Sequence, residues 1–199
     1  QFVARHRYGE RMPNTRFTTA SGVHAVPLAE FCMMAMLMHF RGLMHLQREQ
    51  ERRHWERFAT TDLTDKTVAI VGVGRIGREV ARLSRAFGMR VIGAKARESD
   101  AQLDALVDAF YPAELLHEML GAADVVVLIV PHTPQTEKMI GAPEFAAMKQ
   151  GAYFINVGRG KSVVQDDLLA ALRSGQLAGA GLDVTEPEPL PADHPLWQL

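Results

Sequence analysis

Three glycines, Gly72, Gly74 and Gly77, stand at a chemically telling spacing in the stretch KTVAIVGVGRIGR at positions 66–78. Residues without a Cβ at these places let the backbone turn tightly, let an anion approach the main chain, and let a helix pack closely on a strand. The following helix would turn its unpaired N–H groups and the positive end of its dipole toward that anion. The ligand this serves is the pyrophosphate of a dinucleotide. Such a motif carries weight only between a strand and a helix. Both are written in the pattern: 67–71 is a β-branched apolar run of the kind buried on both faces, and 76–87 repeats apolar residues at helical spacing. Residues 90–94 supply the next strand.

At the end of that second strand an NAD binder usually places Asp or Glu, about 20 residues beyond the glycines, to hold the adenine ribose. Here the chain runs VIGAKAR at 91–97, and the corresponding position is Lys95, with Arg97 two residues on. A carboxylate there would repel a ribose 2′-phosphate, whereas two cations attract one, and Gly93 and Ala94 leave room for it. NADP(H) is therefore the expected cofactor. NAD(H) is the alternative, in which Lys95 and Arg97 are exposed cations that never meet it.

These groups need a scaffold, and the chain alternates strands with helices throughout. Before the glycines, 1–19 is basic and without apolar periodicity, reading as a solvated connector. Pro27 suits a first helical position, 28–40 is apolar nearly all round, and 47–57 continues the helix in polar form before Trp55 and Phe58 offer anchors. Beyond 94, 99–108 is a polar, loosely helical connection and 112–120 a short amphipathic helix. Residues 124–130 form another central strand, stopped by Pro131-His-Thr-Pro134. A helical turn or two at 144–149, a strand at 152–157, a helix at 166–174 and a strand at 178–184 follow. The fold class is α/β, a doubly wound parallel sheet of the Rossmann type.

Bulk properties agree. The 199 residues are 47% hydrophobic and 23% charged, ordinary for a globular chain. A net charge of −1 gives no reason to expect nucleic acid or an anionic membrane as partner, and 28–40 is too short to span a bilayer. The single cysteine, Cys32, cannot form an internal disulfide, and no signal-peptide-like start is present, so a cytoplasmic location is expected.

Five segments then fall in one order: SGVHAVPLAE at 21–30, the glycine turn, PHTPQT at 131–136, VGRG at 157–160 and GLDVTEPEPL at 181–190. Together they closely resemble the D-isomer-specific 2-hydroxyacid dehydrogenase family, over about residues 18–199. The resemblance implies a dinucleotide-binding domain at 20–199, with an interdomain or dimer helix at 27–57, and with 1–19 as the end of a substrate-domain segment. It implies a homodimer and a small 2-oxo or D-2-hydroxy acid substrate, glyoxylate and hydroxypyruvate being family-level guesses. A dinucleotide-sensing corepressor-like protein on the same scaffold is the competing expectation.

Residue by residue, the family's catalytic arginine falls on Arg159, where a planar guanidinium can grip a 2-oxo acid bidentately and polarise its carbonyl. Its catalytic carboxylate, which raises the pKa of a proton-donating histidine, falls on Glu188, with Glu186 as a near neighbour. Asp183 matches the aspartate beside the nicotinamide carboxamide, and Val157 reaches the same group through its carbonyl. Arg75 and Ile76 match the pyrophosphate contacts, and Pro131, His132 and Thr136 the loop over the ribose. His24 stands where the family often has asparagine. The histidine itself, in a Pro-His pair, falls beyond residue 199. Pro131-His132 lies on the cofactor-side loop, and His24, His39, His45 and His194 read as structural. The chain is expected to show little or no turnover by itself.

Overall fold

Unbroken apolar strands need cover on both faces, and the computed structural model gives it to them. It describes residues 8–12, 14–16, 18, 20, 22–94 and 105–199. The strands are β1 (Thr67–Val71), β2 (Arg90–Ala94), β3 (Ala109–Tyr111), β4 (Val125–Leu128), β5 (Ala152–Asn156) and β6 (Leu177–Leu182). They form one sheet in the order β3-β2-β1-β4-β5-β6, every pair parallel. The helices are α1 (Tyr8–Arg11), α2 (Ala25–Phe40), α3 (Leu43–Arg52), α4 (Arg75–Ala86), α5 (Leu116–Gly121), α6 (Ala142–Ala147) and α7 (Gln165–Arg173).

Alternate strand residues enter two separate cores, as the period of two requires. Val68, Ile70, Val91, Val125, Val127 and Ile155 pack with Cys32, Met33 and Met36 of α2 and Val80 and Ala81 of α4. Ala69, Val71, Ile92, Val126, Leu128 and Phe154 pack with Met119 and Leu120 of α5, Phe145 of α6 and Leu168 of α7. The register sets the carboxyl ends level. Ala94, Val71, Leu128, Asn156 and Leu182 are successive partners across the sheet, so the segments that follow them leave from one edge. Strand order reverses between β1 and β4, the place where such sheets hold ligands.

Several expectations are corrected. The helix expected over 27–57 is two helices bent by 58°, with Gly42 at φ +65° between them. A Cβ at Gly42 would lie 2.9 Å from Cε2 of Phe58, so the returning chain seats an aromatic ring at the bend. Pro27 is the third residue of α2, where its missing N–H is still one the helix leaves unpaired. The connection expected at 99–108 lies largely outside the described residues and leads into β3. The helix expected at 112–120 opens as a 3-10 turn at Ala113–Leu115 before α5. No single helix among the described residues is long and apolar enough to cross a membrane.

Candidate functional site

The crevice opens where β1 and β4 diverge. The three glycines serve it in three ways. Gly72 adopts φ +107°, and a Cβ on it would lie 2.7 Å from the Ile129 carbonyl oxygen of the chain leaving β4. A Cβ on Gly77 would lie 2.6 Å from the Gly72 carbonyl oxygen, so α4 is drawn down onto the turn. Gly74 is different: among the described residues nothing lies within 4 Å of where its Cβ would be. The turn is thus closed on two sides and open at the residue that caps α4. Among the described residues no side chain caps that helix, and its first turn carries no acidic residue. Exposed amides, a favourable dipole and an unobstructed backbone suit a dinucleotide pyrophosphate, and the arrangement passes that test of fit. Ile76 is half-buried beneath it, and the stem of Arg75 lies across Gly22, Cδ 2.8 Å from where that residue's Cβ would be.

Lys95 and Arg97 lie outside the described residues. What precedes them is clear: Gly72 N–H donates to the carbonyl of Ala94, holding the end of β2 against the turn. The space over Gly93, expected to be free, is taken by Val73, whose Cγ2 lies 2.6 Å from where a Cβ would stand.

The 131–136 loop forms the next part of the rim, held by hydroxyls. Thr136 Oγ1 donates to the Pro131 carbonyl (2.6 Å) and accepts from Thr133 N–H (2.8 Å), while Thr136 N–H donates to Thr133 Oγ1 (3.2 Å). The side chain of Thr136 therefore shapes the loop. His132 is half-buried, its Nε2 3.6 Å from Glu137 Oε2.

Arg159 is held by a residue that sequence reasoning missed. Asn156, buried at the end of β5, accepts from Gly158 N–H through Oδ1 (3.0 Å) and donates through Nδ2 to the Arg159 carbonyl (3.2 Å). A polar residue closing an otherwise apolar strand was the available signal, because a buried amide persists only with partners. Val157 is buried, its N–H donating to the Leu128 carbonyl. The Arg159 side chain is exposed, with Nη1 donating to the Gly158 carbonyl (2.6 Å).

The carboxylate segment meets this loop directly. A Cβ on Gly160 would lie 1.9 Å from the Thr185 carbonyl oxygen, closer than any side chain permits. Asp183 N–H donates to the Asn156 carbonyl (3.0 Å), and Lys161 Nζ is 3.9 Å from Glu186 Oε1. Glu188 and Asp183 are exposed. Below them, burial pushes the Cys32 thiol up to about 12, with the negative charge of Asp183 adding to the effect. His24 is exposed at the start of α2 and makes no side-chain capping bond. His194 Nδ1 accepts from Leu196 N–H (3.2 Å), and its Nε2 lies 3.1 Å from Gln165 Nε2.

A six-stranded parallel sheet in this order, with an open glycine turn at its switch point, defines a Rossmann dinucleotide-binding domain. A family model described as D-isomer specific 2-hydroxyacid dehydrogenase, NAD binding domain, matches residues 33–199, and the chain belongs to that family. Glyoxylate/hydroxypyruvate reductase A of Serratia proteamaculans (strain 568) is 36% identical over 174 residues, which are 87% of this chain and 55% of the relative. Among solved structures, a protein from Thermus thermophilus superimposes with a TM-score of 0.83 at 36% identity, covering 100% of this chain and 60% of that one. A D-isomer specific 2-hydroxyacid dehydrogenase from Xanthobacter autotrophicus Py2, in complex with NADPH and MES, gives 0.79 at 34% identity, covering 88% and 55%. The chain thus spans little more than half the length of these relatives. Nothing in them supports the corepressor-like alternative.

Proposed function

We propose that this chain is the nucleotide-binding part of an NAD(P)-dependent oxidoreductase that interconverts a small 2-oxo acid and a D-2-hydroxy acid. The observation that carries the reading is the contact of Gly160 with Thr185, which joins the Arg159 loop to the carboxylate loop on the edge where the glycine turn opens. The nicotinamide, when bound, supplies or takes up the hydride. Gly72, Gly74, Arg75, Ile76 and Gly77 hold the pyrophosphate, Pro131, His132 and Thr136 border the ribose, and Val157 and Asp183 face the carboxamide. Arg159 grips the substrate carboxylate and polarises its 2-oxo group. Glu188 orients and charges the proton-donating histidine, which the rest of the protein supplies. Residues 1–19 are the end of the substrate-domain segment in this reading.

NADP(H) is the preferred cofactor, supported by Lys95 and Arg97 in place of an acidic residue and by the NADPH in the Xanthobacter relative. The substrate class is supported by the name of the Serratia relative. We also assign the protein to the cytoplasm, on its free thiol at Cys32. A homodimer is supported by apolar surface along α2 and α3. A groove of about 670 Å³ runs past Met33, Met34, Leu37, Leu83 and Phe87, and Trp55 is 92% exposed. Patches of this kind mark association surfaces.

The test is a parallel titration of the chain with NADPH and NADH, followed by quenching of Trp55 and Trp197, with turnover of glyoxylate and hydroxypyruvate measured in the full-length protein. Tighter NADPH binding, with the difference abolished in Lys95→Asp, is expected. Equal binding removes the 2′-phosphate reading, and absence of turnover removes the enzymatic one.

A further inference from the structure

The loop that carries Glu188 has two ends, and both converge on one side chain. Gln165, the first residue of α7, accepts the backbone N–H of Glu186 through Oε1 at 3.0 Å, and its Nε2 lies 3.1 Å from Nε2 of His194. Between those ends lie Pro187, Pro189 and Pro191, each with φ fixed by its ring. Two internal bonds stiffen the loop further: Thr185 Oγ1 donates to the Pro187 carbonyl (2.9 Å), and Trp197 Nε1 to the Pro191 carbonyl (2.8 Å). In a segment so restricted, fixing the ends fixes the middle.

Gln165 is itself well anchored. Val163 bridges to Ile140, and Val164 N–H donates to the Ile140 carbonyl (2.9 Å), so α7 starts from a set point five residues beyond Gly160. That stretch begins at Arg159. The guanidinium and the carboxylate loop are therefore referred to one short piece of chain, at one end through Gly160 against Thr185 and at the other through Gln165. The second tether has a proton preference of its own. Leu196 N–H donates to His194 Nδ1 at 3.2 Å, and a neutral imidazole accepts at one nitrogen only, so the His194 tautomer selects between its Leu196 and Gln165 partners.

We propose that Gln165 is a positioning residue for catalysis, setting the place of Glu188 relative to Arg159 by holding the Glu186 end of the 186–194 loop and, in the His194 tautomer protonated at Nδ1, the His194 end as well. This rests on the dehydrogenase reading above. It is tested in the full-length protein with Gln165→Leu, which removes both tethers, and Gln165→Glu, which keeps an acceptor for Glu186 N–H. In Gln165→Leu, amide exchange at Glu186 speeds up, NADPH affinity stays within about twofold, kcat for the 2-oxo acid falls about tenfold with KM little changed, and the pH profile of kcat shifts. Gln165→Glu restores most of kcat. Unaltered exchange at Glu186, or exchange that speeds up while kcat and its pH profile do not move, overturns the proposal, as does an equal loss in both variants. If the wild-type protein turns over no 2-oxo acid, the dehydrogenase reading fails and the catalytic role of Gln165 with it, while exchange at Glu186 still shows whether the tether exists.

Discussion

The glycine turn and the Arg159 rim lie on the same edge of one sheet and are built by opposite means. The turn is backbone against backbone: Gly72 against Ile129 and Gly77 against Gly72, with Gly74 left open between them. The rim is held by side chains: Asn156 on Gly158 and Arg159, Gln165 on Glu186, and the Thr136 hydroxyl on Pro131 and Thr133. A pyrophosphate is the same in every dinucleotide, so under the proposed function its cradle can be fixed at the level of Cα positions. Under the same proposal a substrate is gripped by groups whose place is set by polar partners elsewhere in the chain, which can be changed singly without unfolding the turn.

The widest separation is expected within the turn itself. Gly77→Ala forces a Cβ onto the Gly72 carbonyl, costing about 3 kcal/mol of stability and most dinucleotide affinity. Gly74→Ala meets no atom of the described residues beyond its chain neighbours, so its melting temperature is expected to stay close to wild type while NADPH affinity falls about tenfold as the methyl intrudes on the pyrophosphate. Thermal melts and fluorescence titration check both, and a large loss of stability in Gly74→Ala would erase the distinction between closed and open glycines.

Next is the rim. Asn156→Ala leaves the Gly158 N–H without its partner and is expected to destabilise by about 2 kcal/mol. Its effect on turnover should exceed its effect on NADPH affinity, since the lost bonds hold Arg159 and not the glycines. Equal losses of both in steady-state kinetics and titration would mean the two regions are one unit.

The smallest effect concerns Cys32, the thiol beneath Asp183. Its value of about 12 in the folded chain lies above the ordinary 9.0, so the native state holds the proton more tightly than the unfolded state between those limits. Stability is therefore full below about pH 9 and declines as pH rises toward 12. Alkylation by iodoacetamide at mildly alkaline pH should be slow in the native chain and fast after denaturation, as read by mass spectrometry. Rapid native labelling would show the rim to be looser than its hydrogen bonds indicate.

How much was legible follows the same division. The strands at 67–71 and 90–94 and the glycine roles were readable because periodicity and absent Cβ atoms act locally. The five-motif resemblance added Arg159, Glu188 and Asp183, residues whose exposed side chains carry no periodic signal. The bend at Gly42 was not readable, because it depends on Phe58 returning to cover it. Nor was β3, three residues whose strand character comes from pairing with β2. Asn156 was visible as a polar end to an apolar strand, but its hydrogen-bond partners belong to the turn that follows. Gln165 looked like any polar start to a helix, since its partners lie 21 and 29 residues away.

The contact between Val73 and Gly93 bears on protein engineering. A library intended to change which dinucleotide is accepted, built on the proposed role of positions 95 and 97, meets a constraint two residues earlier. It cannot place a side chain at 93 without shrinking 73 in the same clone. The two positions form a single mutational unit, and screens that randomise one alone will recover mostly misfolded variants there.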